Sequence, residues 1–214
     1  MISGIVLAAG EGKRMGKAKL LLPLGNKPLI EWMLKAVKLS SLNKFFLVVR
    51  PGDSEIIKLG RKWGAEIVLN PDFQSGMSSS IKKALQHFPA ERVKGFLIFL
   101  GDQPLINSII INQIISAFSP GKGEMVVPFY KGRRGNPVLF DICWRDELMA
   151  VTGDVGGRVL IKAHPKKVKV VKISNEAVLF DIDKEEDYLK AQTYFNPDTQ
   201  TKHFNSLPNL GLTF

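Results

Sequence analysis

Three short segments hold most of the residues able to do chemistry: AAGEGKRMGKAK (8–19), NPDFQSGMSSS (70–80) and GDQP (101–104). In the first, Gly10, Gly12 and Gly16 can turn backbone N–H groups inward as an anion nest. Arg14 adds a planar fork suited to phosphate oxygens, and Lys19 a compact positive charge. Together they suit a triphosphate; the alternative is a glycine-rich surface loop with solvated charges. The spacing departs from both of the best-known phosphate loops. A dinucleotide fingerprint needs its third glycine one residue before Gly16, and a P-loop needs one residue fewer before Gly16-Lys17 and Ser or Thr in place of Ala18.

Asp102 in GDQP is the metal candidate, because a carboxylate facing such a cradle can share a divalent cation with phosphate oxygens. The alternative is a turn-forming Asp before Gln103-Pro104. In SGMSSS, Gly76 permits close approach, and Ser78 to Ser80 offer hydroxyls and free N–H groups at a helix start. There the alternative is an ordinary N-cap. In the acidic run DIDKEED (181–187), Asp183 and Glu186 have capping-box spacing, while Asp181 or Asp183 can equally reach a metal across the cleft.

These segments need a frame that brings them together. SGIVLAAG, KFFLVVR, AEIVLN and GFLIFLGDQP are short apolar, β-rich runs. Between them, Leu29, Ile30, Met33, Leu34 and Val37 share one helical face behind Pro28. A second helix carries Ile81, Ala84, Leu85 and Phe88, and a third Ile110, Ile111, Ile114, Ile115 and Phe118. The link from KFFLVVR to AEIVLN reads only as a Gly-marked connection. Alternating strands and helices predict an α/β fold: a Rossmann-like three-layer sandwich around a mostly parallel sheet. Ligands in such sheets bind beyond the carboxyl ends of the strands, so the three segments should converge.

Beyond Gly123 the pattern changes. EMVVPFY, NPVLF, KVKVVKI and AVLFDID read as strands, with short helices around 145–163, and form a mixed C-terminal extension of the sheet. A single domain is expected over 1–195, followed by a polar tail, 196–214.

The chain has 214 residues, 45% hydrophobic and 23% charged, enough for one substantial core. Cys143 alone excludes an internal disulfide and suits a reducing compartment. Met1 leads straight into a strand-like run, and no apolar stretch is long enough to cross a bilayer, so a cytoplasmic location is expected. Thirty Lys and Arg against twenty Asp and Glu give a formal charge of +10. The basic residues are scattered and carry no nucleic-acid motif, so small polyanionic substrates are the better match, without nucleic acid or membrane. His87, His164 and His203 lie far apart, and no G-x-S-x-G elbow occurs, which leaves zinc and covalent catalysis unsupported.

LAAG, RMG, K-LLPL-G-KPL, NPDFQSGMSSSI, GDQP, RRGNPVLF, TGDVGGR and DIDKEED resemble, in order, the motifs of molybdenum cofactor cytidylyltransferases, a branch of the NTP transferases. The first loop is shared across many nucleotidyltransferases; RRGNPVLF followed by TGDVGGR is narrower. The resemblance covers about Leu7 to Asp187. It implies Mg2+-dependent transfer of CMP from CTP to the phosphate of a molybdopterin-type acceptor, with pyrophosphate released and a molybdoenzyme as client. It further implies a nucleotide-binding half (1–120) and an acceptor-binding half (121–195).

By residue, the resemblance assigns Arg14, Lys19 and Asp102 to catalysis, and Asp102 with Asp183 to the metal. Leu7, Ala8, Ala9, Gly10, Gly12, Arg14, Lys19, Asn70, Gly76, Met77, Ser78 and Asp102 would bind the nucleotide. Arg134, Gly135, Asn136, Pro137, Asp154 and Arg158 would bind the acceptor, with pairing to Asp154 as the alternative role for Arg158. Guanylyl-transferring relatives carry glycine where this chain has Ala9. The family also has His where this chain has Asn136, which cannot carry a proton near neutral pH. Two other readings remain: transfer to a sugar or alditol phosphate, and a non-catalytic nucleotide-binding protein of cofactor maturation.

Overall fold

The computed structural model describes residues 1–10, 19–88 and 92–195. Gly12 and Arg14 of the first loop, and the tail 196–214, lie outside the described residues. In chain order the strands are β1 (Ile2–Leu7), β2 (Pro23–Leu24), β3 (Lys27–Pro28), β4 (Lys44–Val49), β5 (Glu66–Leu69), β6 (Gly95–Leu100), β7 (Met125–Tyr130), β8 (Arg133–Arg134), β9 (Val138–Asp141) and β10 (Val168–Lys172). The helices are α1 (Leu29–Lys38), α2 (Ser54–Lys62), α3 (Met77–Gln86), α4 (Ser108–Ala117), α5 (Arg145–Ala150), α6 (Arg158–Ala163) and α7 (Glu185–Phe195).

The central sheet runs β10-β7-β9-β6-β1-β4-β5, with β8 paired to β7. β1 is parallel to β4 and β6, and β5 to β4, whereas β9 runs antiparallel between β6 and β7. This is the mostly parallel sheet with a mixed extension that the residue pattern predicts. β1, β4 and β6 are buried on both faces, hence their continuous apolar runs. Their side chains still alternate between two cores. Val6, Leu47, Leu97 and Phe99 pack on one face with α1, α2 and α4, while Ile5, Phe46, Phe96 and Ile98 pack on the other with α3, α5 and α6. On the latter face Phe46, Phe88, Phe96 and Phe140 form a chain of rings with centroids 4.9, 5.7 and 5.8 Å apart. Truncating a buried ring of this kind costs about 3–5 kcal/mol.

Four local expectations change. α2 replaces the plain connection after KFFLVVR; Ile56 and Gly60 are buried and Ile57, Leu59 and Trp63 pack against the same core, a helical spacing that the Gly-marked reading passed over. Ser78 to Ser80 do not cap α3 but occupy its first turn, with Gly76 in the cap position and no side-chain cap bond. AVLFDID forms no strand: Glu176–Leu179 is a 3-10 turn, opened by Asn175 accepting from the Ala177 N–H. Its apolar residues divide between two cores, Val178 entering the α1/α4 side and Ile182 a small cluster with Leu24, Leu29 and Phe195. Finally, Asp187, rather than Glu186, reaches back at the start of α7, accepting from the N–H groups of Asp183 and Lys184 at 3.0 and 2.8 Å.

Candidate active site

Because β1, β4, β5 and β6 are mutually parallel, their carboxyl ends open on one edge of the sheet. A cleft of about 370 Å³ lies there, within the range of small-molecule sites. It is lined by Leu7, Ala8, Ala9 and Gly10 after β1, by Leu100, Gly101 and Asp102 at β6, by Gly76, Met77 and Ser80 at α3, and by Lys19 and Asp154. The three segments of the sequence therefore converge as expected.

At one end of the cleft, Lys19 Nζ lies 2.7 Å from Asp102 Oδ2 and 3.6 Å from Asp183 Oδ1. It also donates to the Ile182 carbonyl at 2.7 Å. Ile182 is held there by its own N–H, which donates to the Asp102 carbonyl at 3.1 Å. Lys19 is 12% exposed and Asp102 21%, so the pair is sheltered from bulk screening. Half-buried Asp181 completes an acidic neighbourhood. Burial first, then the charges of Asp183 and Asp102, raise its carboxyl above the usual carboxylate range.

The donor set fits a hard divalent cation. Asp102 Oδ1 is buried with no hydrogen-bond partner among the described residues. Asp183 and the Ile182 carbonyl supply further oxygens of the type such ions take. Among the described residues no group of three or more His, Cys, Asp and Glu could hold a metal. A cation here would thus complete its shell with phosphate or water oxygens, as Mg2+ usually does.

Other expected residues take different places. Asn70 is fully buried and outside the cleft lining. Its side-chain amide donates to Ser79 Oγ and Ser80 Oγ at 2.9 and 3.0 Å, and its oxygen accepts from the Asp72 N–H at 3.0 Å. It is a brace between the end of β5 and α3, because a fully buried amide must spend its bonds on protein groups. Ser78 is also buried off the cleft, its N–H donating to the Gly153 carbonyl, whereas Ser80 lines it.

The acceptor-side segments are anchored to this edge. Gly76 has φ +89°, and a Cβ there would lie 2.6 Å from the Asp154 backbone nitrogen, so glycine is required for the approach. Asp154 Oδ1 accepts from the Met77 N–H at 3.2 Å, serving the start of α3 and not Arg158. Gly135 lies against the Val178 carbonyl, which a Cβ would approach to 2.3 Å, and the neighbouring Asn136 N–H donates to that carbonyl at 2.8 Å. Pro137, buried, follows through a cis peptide bond. Arg134 and Arg158 are exposed, and neither makes an ion pair among the described residues. Partial burial, and then the Arg158 charge, hold the Arg134 guanidinium below its usual pKa.

The residue reading missed Arg50, Phe73 and Gln74, all of which line the cleft. Arg50 grips Asp53 through Nε and Nη2, both at 2.9 Å, and its guanidinium lies 5.7 Å from the Phe73 ring centre. Arg50 directly follows β4, so the strand-end rule was a signal that could have found it.

A mostly parallel sheet with a lysine and paired carboxylates beyond its strand ends is the arrangement expected of a nucleotidyltransferase. More narrowly, the chain belongs to the family described as MobA-like NTP transferase domain, whose model matches residues 4–168. It is 28% identical to the nicotine blue oxidoreductase of Paenarthrobacter nicotinovorans, over 85% of this chain and 92% of that protein. It is 25% identical to the molybdenum cofactor cytidylyltransferase of Escherichia coli (strain K12), over 89% of this chain and 95% of that protein. Among solved structures, Rv0371C of Mycobacterium tuberculosis H37Rv in complex with manganese superposes with a TM-score of 0.75 at 25% identity, covering 89% of this chain and 97% of that one. No helix among the described residues is long and apolar enough to cross a membrane.

Proposed function

We propose that this protein is a Mg2+-dependent cytidylyltransferase that moves CMP from CTP to the phosphate of a molybdopterin-type cofactor. The observation that carries this reading is the Lys19–Asp102–Asp183 constellation, whose Lys19 and Asp102 line the same cleft as Ala8–Gly10 and the start of α3. In this reading the acceptor's phosphate oxygen forms a bond to the α-phosphorus of CTP, and the bond from that phosphorus to the pyrophosphate oxygen breaks. The protein contributes position and charge rather than a covalent intermediate. Lys19 balances negative charge near the reacting phosphorus, and Arg14 that of the departing pyrophosphate. Asp102 and Asp183 would hold Mg2+, which when bound neutralises phosphate oxygens.

The backbone of Ala8 to Gly10 and of Gly76 and Met77 reads the cytosine edge. Ala9, a lining residue 2% exposed, carries a methyl where the resemblance gives guanylyl-transferring relatives a glycine. Residues 121–195 bring the acceptor, with Arg134 and Arg158 facing its anionic groups and Gly135, Asn136 and Pro137 shaping its seat, while Asp154 braces the start of α3 beside the nucleotide. The full-length similarity to a cytidylyltransferase supports this choice of acceptor. Soluble substrates of this kind suit a cytoplasmic protein that passes its product to a molybdoenzyme.

A relative named as an oxidoreductase favours a second reading, since one fold hosts several chemistries. One experiment separates them. Purified protein with CTP, Mg2+ and molybdopterin cofactor should release pyrophosphate and give a product heavier by one CMP moiety in mass spectrometry. Turnover of a redox dye without pyrophosphate would replace the transferase reading.

A further inference from the structure

The Lys19 ammonium sits where oxygens from two distant parts of the chain converge. Asp102 Oδ2 and the Ile182 carbonyl lie at 2.7 Å and Asp183 Oδ1 at 3.6 Å. This is a cage of carboxylate and carbonyl oxygens, the donors that a hard cation prefers. The backbone bond from Ile182 N–H to the Asp102 carbonyl joins the two segments without help from Lys19. Removing the lysine charge should therefore leave an anionic cage in place.

We propose that Lys19 is a placeholder for the divalent cation, filling the cage while the cleft is empty and giving it up when a triphosphate offers oxygens to the ammonium. Metal and nucleotide then enter as one unit. The inference rests on the metal-dependent transferase reading above. Its physical basis is charge. Lys19 already meets the Asp102 charge at 2.7 Å, and a divalent ion added beside it would meet like charge at contact distance in a sheltered site. Lys19 has a long, flexible stem and compact head, so its Nζ can shift by some ångströms with the backbone in place. Asp102 Oδ1, buried and without a partner among the described residues, shows that the lysine does not satisfy the whole donor set. An ammonium bonds one oxygen of this carboxylate and leaves the other waiting.

The test is binding of Mn2+ alone, followed by electron paramagnetic resonance on wild type, Lys19→Met and Lys19→Gln, with and without CTP and with the chelation by CTP subtracted from protein-free controls. Without nucleotide, both variants should bind Mn2+ about tenfold or more tightly than wild type, in the range of ordinary coupling between sites. CTP should strengthen Mn2+ binding in wild type and much less in the variants. Mn2+ should also raise the Tm of the variants more than that of wild type, a readout that serves even if a variant folds fully only with metal. The gained site should vanish in Lys19→Met/Asp102→Asn. Equal Mn2+ affinity of wild type and both variants without nucleotide, or a gained site that survives loss of Asp102, would overturn the proposal. Neither result depends on turnover, so failure of the transferase reading shows separately, as absent pyrophosphate release by wild type.

Discussion

Lys19 and Asp102, 83 residues apart in the chain, meet at 2.7 Å at the carboxyl edge of the sheet. The lysine follows the loop after β1 and the aspartate follows β6. Their contact follows from the pairing of those two parallel strands, Leu7 beside Leu100. The pair joins the charge that phosphate needs to the charge that a metal needs, and most of the site's behaviour should be readable through it.

Asp102→Asn is expected to keep the fold, because the amide can still accept a hydrogen bond from Lys19. It loses the charge that holds a cation, which should lower transfer by about a thousandfold, some 4 kcal/mol of transition-state stabilisation. Pyrophosphate release measured beside thermal melting checks both halves. Near-normal turnover in a well-folded variant would remove Asp102 from the metal site.

Asn70→Ala should act on stability and not on chemistry. It strips two buried hydrogen bonds, to Ser79 and Ser80, and a part-buried one from the Asp72 N–H. Unmade buried bonds cost about 1–3 kcal/mol each, partly recovered by relaxation, so a loss of roughly 2–4 kcal/mol is expected. Urea unfolding gives the figure. Unchanged stability with a raised KM for CTP would restore Asn70 as a nucleotide contact.

Asp154 and Arg158 should separate cleanly. Asp154 accepts from the Met77 N–H beside the nucleotide cleft, so Asp154→Ala should raise the KM for CTP. Arg158 is exposed with no ion pair among the described residues, so Arg158→Ala should raise the acceptor's KM about tenfold or more, the loss of roughly one charge-assisted bond, and spare that of CTP. Equal effects of Arg158→Ala on both substrates would assign the arginine to the nucleotide or to structure.

Ala9→Gly should relax the choice of base. Ala9 lines the cleft and is nearly fully buried against the α3-side core, so loss of its methyl is expected to loosen the wall beside the loop and admit a purine. Wild type is expected to prefer CTP over GTP by roughly a hundredfold in kcat/KM, the scale available to sites that pair a base's polar edge. The variant should narrow that ratio while retaining turnover. Competition among CTP, GTP, UTP and ATP with one acceptor measures it, and a wild-type preference for a purine would end the cytidylyl assignment.

Much of this architecture follows from local chemistry. Short, β-rich apolar runs at 4–7, 45–49 and 95–100 read as strands buried on both faces, and helices between them favour a parallel arrangement. Parallel strands share one carboxyl edge, so the meeting of Ala8–Gly10, Gly76–Met77 and Asp102 could be reasoned before any coordinates. Partners distant in the chain could not. Ile182 reaches Lys19 across 163 residues, and nothing in AVLFDID distinguishes a strand from the 3-10 turn and bridging segment it forms. Strand pairing is non-local, and a run of alternating residues becomes a strand only where a free edge awaits it. The same holds for polar residues near the site. Asn70 and Ser78 are of the types that bind nucleotides, but burial decided their roles, and burial depends on what packs above them. Sequence spacing sets which face a side chain takes; whether that face meets ligand, water or another helix is settled when the layers close.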